Sequence, residues 1–227
     1  MNNRPLSRYK QRRLLFCFAL ELTATQAAKV ASVNRNTANL YYRGFRLAVF
    51  LHQQREFEKM VGEIEMDESY FGGVRKGLKG RSTKQKVPVF GLLKRQDKVF
   101  TQVVPNVKAI TLRRIIKERV DHASILFTDS YKSYDGLVID GYEHHRINHS
   151  KGELVKGRSH INGIESFWSY AKNKLSRYYG IRRQDFPLYL KELEWRFNLR
   201  GEDPEKELLK IVDWKTLLKL KRPDAPL

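Results

Sequence analysis

Cysteine is all but absent. Cys17 is the only one in the chain, so no intramolecular disulfide can form and no Cys-based zinc ribbon can be built. Set in the apolar run Leu14–Leu20, it is expected to be a buried, inert thiol. Long hydrophobic runs are missing as well. The best, from Leu14 to Leu22, is short and contains Glu21, too little to span a bilayer. No signal peptide is visible, so the expected location is cytoplasmic or nucleoid-associated, with no membrane partner. Acidic residues are scarce: 25 Asp+Glu face 44 Lys+Arg, a net charge of +19. Such an excess self-repels unless a polyanion neutralises it, which puts nucleic acid ahead of anionic lipid as the partner. The 227 residues, 41% of them apolar, suffice for one small and one medium domain.

What is present divides the chain. From Tyr9 to about Gln54 the apolar residues recur at helical spacing, with Leu14, Leu15, Phe18 and Leu22 first. Thr23 or Thr25 is a candidate cap for a second helix, whose Ala27, Ala28 and Ala31 form a close-packing face. Ser32-Val33-Asn34 breaks the pattern, and Asn34 or Asn36 caps a third helix. Two helices across a short turn read as a helix-turn-helix, expected over 1–57. Asn34, Arg35, Asn36, Thr37 and Asn39 stand at the start of its second helix, where base edges are usually met. Arg43 and Arg46 follow as candidates for phosphate contact. An ordinary three-helix bundle facing water is the competing reading.

Past the charged stretch Arg55–Lys59 the periodicity changes. Gly62 to Phe71 alternates apolar and charged residues, the period of a strand. Val87–Leu93 and Val99–Val104 are two more strands joined by a polar hairpin turn, Arg95–Lys98. A helix over Thr111–Val120 with Thr111 as cap, a short strand over Ala123–Thr128, a weak strand over His144–Asn148 and helices over Ile161–Leu175 and Phe186–Phe197 complete a domain expected over 58–200. A helical tail is expected over 201–227. Such an order suits an α/β domain with a mixed sheet and helices on its faces. Asp67 then lies on the first strand, Asp129 at the tip of the fourth, and Glu165 on the long helix. Three converging carboxylates repel one another and are tolerable only around cations. Their oxygens suit Mg²⁺ or Mn²⁺, and two such ions can drive attack on a phosphodiester.

Three segments carry a resemblance: Glu65–Gly73, Phe127–Tyr134 and His160–Trp168. With them the chain resembles bacterial insertion-sequence transposases of the DDE superfamily, in the subgroup with a short catalytic domain. Lys172, seven residues after Glu165, and the 35 residues between Asp129 and Glu165 also match that pattern. The resemblance implies an RNase H-like fold. It implies hydrolysis at the ends of a mobile element followed by strand transfer, two divalent ions, and a homo-dimer or larger multimer on double-stranded end and target DNA. Asp67 and Asp129 would be metal ligands and Glu165 the third. Asn162, which holds the third place in some relatives, is an auxiliary candidate, as a carboxylate binds Mg²⁺ better than a neutral amide.

The remaining candidates are weaker. Glu65 and Glu68 flank Asp67 and are expected on the opposite face of the strand, solvated or structural. His160 is a candidate for orienting a scissile phosphate, and His144, His145, Arg146 and His149 for phosphate contact at a strand end. Tyr131, Tyr134, Phe167, Trp168, Trp195 and Phe197 read as core. Arg75, Lys76, Lys79, Arg81 and Lys84 form a dense basic run expected to touch the DNA backbone. Two other functions share these features: an RNase H-like nuclease or resolvase without strand transfer, and a non-catalytic, domesticated DNA-binding regulator. The intact acids disfavour the second of these.

Overall fold

The computed structural model describes residues 6–55, 58–72, 86–129, 134, 138, 140–147, 160–178 and 180–219. The chain forms two compact units, Phe57–Asn198 and Met1–Glu56 together with Leu199–Leu227.

In the first of these, five strands form one sheet: β1 (Glu63–Phe71), β2 (Val87–Lys94), β3 (Val99–Val103), β4 (Ile125–Asp129) and β5 (Glu143–Ile147). Their order across the sheet is β3-β2-β1-β4-β5. The first three run antiparallel as a meander, with the hairpin turn where the polar Arg95–Lys98 stretch predicts it. The last two run parallel to β1. This is a mixed sheet in an α/β domain, as expected, and helices cover both of its faces.

Alternation along β1 decides which helix covers which face. Ile64 and Met66 point to one side and join Leu112, Ile115 and Ile116 of α4 (Ala109–Arg119) in one buried core. Phe71 points to the other and joins Ile164, Phe167, Trp168 and Ala171 of α5 (Asn162–Ser176) and Phe186, Leu190 and Leu193 of α6 (Phe186–Asn198). Every residue of odd number on β1 therefore faces α5 and α6. Helix α4 starts earlier than its sequence predicts. Thr111 is in its first turn rather than its cap, and its hydroxyl donates to Asn106, which also accepts the Lys108 N–H.

The open edge of β3 has an explicit solution. The Val99 N–H donates to Asn198 Oδ1 at 2.8 Å, and the Thr101 N–H to Glu194 Oε2 at 2.7 Å. Two side chains one turn apart on α6 thus satisfy edge amides that would otherwise invite another strand.

The second unit holds α1 (Arg8–Ala19), α2 (Ala24–Val30), α3 (Arg35–Arg55), α7 (Pro204–Ile211) and α8 (Trp214–Lys219). Thr23 caps α2 in a reciprocal capping box with Gln26. Asn34 caps α3, its Oδ1 accepting the Asn36 N–H at 2.8 Å. Phe18, Tyr42 and Phe45 pack together, and Trp214 meets Phe45 edge-on at 6.2 Å. Gly44 lets α8 approach α3, since a Cβ there would stand 1.9 Å from Leu217. Cys17 is buried as expected, and burial pushes its thiol pKa up. Among the described residues, no helix is long and apolar enough to cross a membrane.

Candidate active site

Asp67 and Asp129 come together through strand register. Glu63, Ile64 and Glu65 pair with Ile125, Leu126 and Phe127 on the parallel strand β4. Carried two residues past the last pair, the same offset sets Asp67 beside Asp129, at the carboxyl end of β4. Brought to the same face as Asp67 by this register, Asp129 also looks toward α5. Glu165 is exposed on the first turn of that helix. The three acids share one electrostatic neighbourhood. Burial first, then the charges of Asp129 and Glu165, push the Asp67 carboxyl up to about 6, against hydrogen bonds from the Glu68 backbone and Trp168. Among the described residues no three His, Cys, Asp or Glu side chains are closed tightly enough to hold a metal ion as they stand. As a donor set, the three carboxylates offer only oxygen, the kind of ligand that a hard divalent cation takes.

Two further carboxylates on β1 surround Asp67, and the structure corrects the expectation for one of them. Glu65 does not point to the opposite face. It lies two residues from Asp67, shares its face, and is 1% exposed. It forms a clamp under the start of α5. One oxygen accepts the Ile164 N–H at 2.9 Å, and the other pairs with Arg95 Nε at 3.0 Å. Arg95 also pairs with Glu63 at 2.7 Å, donates to the His160 carbonyl, and lies 3.9 Å over the Phe127 ring. Gly163 leaves room for this, since a Cβ there would stand 2.8 Å from Glu65 Oε2. His160 belongs to the same clamp, its Nδ1 facing Glu65 Oε1 at 3.6 Å, just beyond hydrogen-bond length.

Glu68 does occupy the opposite face, where it is half-buried and structural, as one side of the expectation had it. Tyr134 donates to it at 2.6 Å, and burial, with Asp67 and Asp129 adding to it, pushes its carboxyl up to about 7. Tyr134 is fully buried, as expected of core. Thr128 and His144 meet at 2.8 Å, while His145 stacks on Phe127 and pairs with Glu143.

Lys172 is exposed two turns along α5 from Glu165, 6.0 Å from the centre of the Phe71 ring at the end of β1. Asn162 is exposed at the first position of α5. Phe167, Trp168 and Trp195 are buried. In the helical unit, Asn34, Arg35, Asn36 and Asn39 are exposed at the start of α3, and Thr37 and Arg43 are half-buried. Arg46 departs from its expected role. It is 5% exposed, with its guanidinium over the Phe18 and Tyr42 rings, so it braces the helices instead of facing phosphate. The basic run Arg75, Lys76, Lys79, Arg81 and Lys84, and also Tyr131 and His149, lie outside the described residues.

Sequence reasoning gave no site role to Arg95 or Gly91, put Glu65 on the wrong face of β1, and read Trp168 correctly as core but not as a partner of Asp67. Glu65 was accessible through the two-residue period itself. Gly91, in a strand interior, signals a close approach: a Cβ there would stand 2.5 Å from Trp168.

The family model of the ISXO2-like transposase domain matches residues 59–198. A transposase-like protein of Haemophilus influenzae is 50% identical over 101 residues, covering 44% of this chain and 81% of the relative. A protein in the transposable element ISH50 of Halobacterium salinarum is 32% identical over 178 residues, 67% of this chain and 58% of the relative. Among solved structures, a pre-cleavage Mos1 transpososome aligns at 12% identity and a TM-score of 0.28, over 91% of this chain and 80% of that one.

Proposed function

This chain belongs to the ISXO2-like transposase domain family, and from that premise we propose that it binds the ends of a mobile DNA element and cleaves and joins DNA strands at Asp67, Asp129 and Glu165. The observation that supports this reading most directly is that Asp129 and Glu165 act on a largely buried Asp67, raising its carboxyl, in a chain of net charge +19. A protein built to hold polyanions gains nothing from clustered carboxylates unless cations lie between them and the phosphate.

Asp67 and Asp129 would hold Mg²⁺ or Mn²⁺ with Glu165, leaving Asn162 as an auxiliary contact. When bound, such ions supply Lewis-acid activation of the attacking oxygen and charge stabilisation at the leaving oxygen. The protein's own part is placement. The strand pair β1–β4 brings two acids side by side, and the Glu65–Arg95 clamp fixes the start of the helix carrying the third. Lys172, on the same side of α5, is the candidate for holding a DNA phosphate near the cut. In the helical unit, α2, the short turn and α3 form a helix-turn-helix, with Arg35, Asn36 and Asn39 presented to base edges. A second copy of the chain on the paired element ends would complete the assembly.

The test uses the full chain, DNA carrying the flanking element ends, and Mg²⁺. Asp67→Ala and Asp129→Ala are expected to abolish both cleavage and strand-transfer products while end binding, read by gel shift, persists. Cleavage by either variant would overturn the assignment. Cleavage by the wild-type chain without strand-transfer product would reduce it to a nuclease.

A further inference from the structure

Asp67 is held from the side by a residue that the proposed chemistry does not use. Its cross-strand partner on β2 is Gly91. The space that a side chain would fill there is taken by the Trp168 indole: a Cβ on Gly91 would lie 2.5 Å from Cζ2, 2.8 Å from Cη2 and 3.0 Å from Ile164 Cδ1. The indole is 4% exposed and wedged between Phe71, edge-on at 5.9 Å, and Phe167 at 5.2 Å. From this seat its Nε1–H donates to Asp67 Oδ2 at 3.0 Å. Indole nitrogen donates only and carries no charge. The bond therefore fixes one carboxylate oxygen without neutralising it, as a lysine or arginine in that place would. Trp168 lies three residues after Glu165, so one helix delivers both an acid and the restraint on another acid.

We infer that Trp168 is a positioning residue that tethers one oxygen of Asp67 and thereby selects a small, octahedral divalent cation over Ca²⁺. The inference rests on Asp67 being a metal ligand, as proposed above. Mg²⁺ and Mn²⁺ demand near-octahedral oxygen geometry and suit a carboxylate that offers one oxygen, whereas Ca²⁺ accepts carboxylates through one oxygen or two in looser shells. Hydrogen bonds to a ligating side chain set its orientation and the affinity of the site. Without the indole bond only the Glu68 backbone restrains the carboxylate, its orientation is less fixed, and the selectivity falls.

The experiment is isothermal titration of the full-length protein with Mn²⁺ and with Ca²⁺. It compares wild type, Trp168→Phe, which keeps an aromatic ring and removes the N–H, and Gly91→Ala, which keeps the N–H and displaces the ring. Both variants are expected to lose Mn²⁺ affinity by about tenfold with little change for Ca²⁺, so that the ratio of the two affinities drops. An unchanged ratio in folded Trp168→Phe would overturn the inference; if that variant does not fold, Gly91→Ala decides by the same criterion. Asp67→Asn, run in parallel, separates the two levels. If it loses Mn²⁺ while Trp168→Phe keeps the wild-type ratio, only the tether is wrong. If Asp67→Asn binds Mn²⁺ as wild type does, Asp67 is no ligand, and both the site and the tether fall.

Discussion

At the scale of single residues, the chemistry of this molecule is a problem of buried negative charge. Asp67 is pushed up to about 6, first by burial and then by its acidic neighbours, whereas an unfolded chain titrates it near 3.9, roughly. The folded state then holds a proton that the unfolded state has already lost. This costs no stability below about pH 4, and the cost grows as pH rises, complete above about 6, at on the order of 2–3 kcal/mol. Metal-free Asp67→Asn is therefore expected to melt above the wild type at alkaline pH, with the gap closing as the solution is acidified through 6 toward 4. Thermal melts in chelator measure this, and a gap independent of pH would remove the strained carboxylate. Added Mg²⁺ should narrow the alkaline gap by binding only the wild type. Activity discriminates the third position: Glu165→Gln is expected to cost far more cleavage than Asn162→Ala, because only the first removes a charged oxygen donor. The reverse ranking in a single-turnover cleavage assay would exchange their roles.

At the scale of elements, α5 is the part whose placement matters most, and its docking is polar at the first turn and apolar below it. Glu65 is nearly inaccessible and ionically paired with Arg95. Removing one partner of a buried pair leaves an uncompensated charge, so Arg95→Ala is expected to destabilise the domain by about 3–5 kcal/mol. Gly163→Ala intrudes on Glu65 from the helix side and is expected to cost about 1–3 kcal/mol as an overpacking change. Urea denaturation of the two variants checks both figures, and a loss for Arg95→Ala within the range of ordinary surface substitutions would mean that the clamp holds nothing.

At the scale of the whole molecule, the charge excess belongs to both units, and the proposed function gives them separable tasks. Arg35→Ala or Asn36→Ala is expected to weaken binding to element-end DNA more than cleavage of unrelated DNA, since the proposed function has the start of α3 meet base edges and other residues meet phosphates. Equal losses in a gel-shift and a nonspecific cleavage assay would take α3 out of recognition. Arg46→Ala should instead lower thermal stability, as its guanidinium lies on two aromatic rings of the helical core.

How far all this could be read in advance depends on the range of the interactions. Periodicity and capping residues are local, so the strands of the meander, α5 and α6 were legible within a residue or two, each helix cap was narrowed to two residues of which the structure uses Thr23 and Asn34, and Asp67 and Asp129 could be placed on neighbouring strands. The two-residue period also contained the correct face for Glu65, which was misplaced by grouping it with Glu68. Arg46 looked like a phosphate contact because a helical arginine near a recognition surface gives no local sign of burial. The sequence by itself determined the chemical inventory: acids at strand ends, a basic excess, one inert thiol, and helices and strands in a fixed order. Only the tertiary structure decided which groups restrain one another. The Trp168–Asp67 bond joins residues 101 apart, the Arg95 clamp gathers β1, a hairpin turn and the start of α5, and α7 and α8 return to the N-terminal helices. Such contacts arise from how faces stack once helices and sheet have formed, and no local pattern in the chain encodes them.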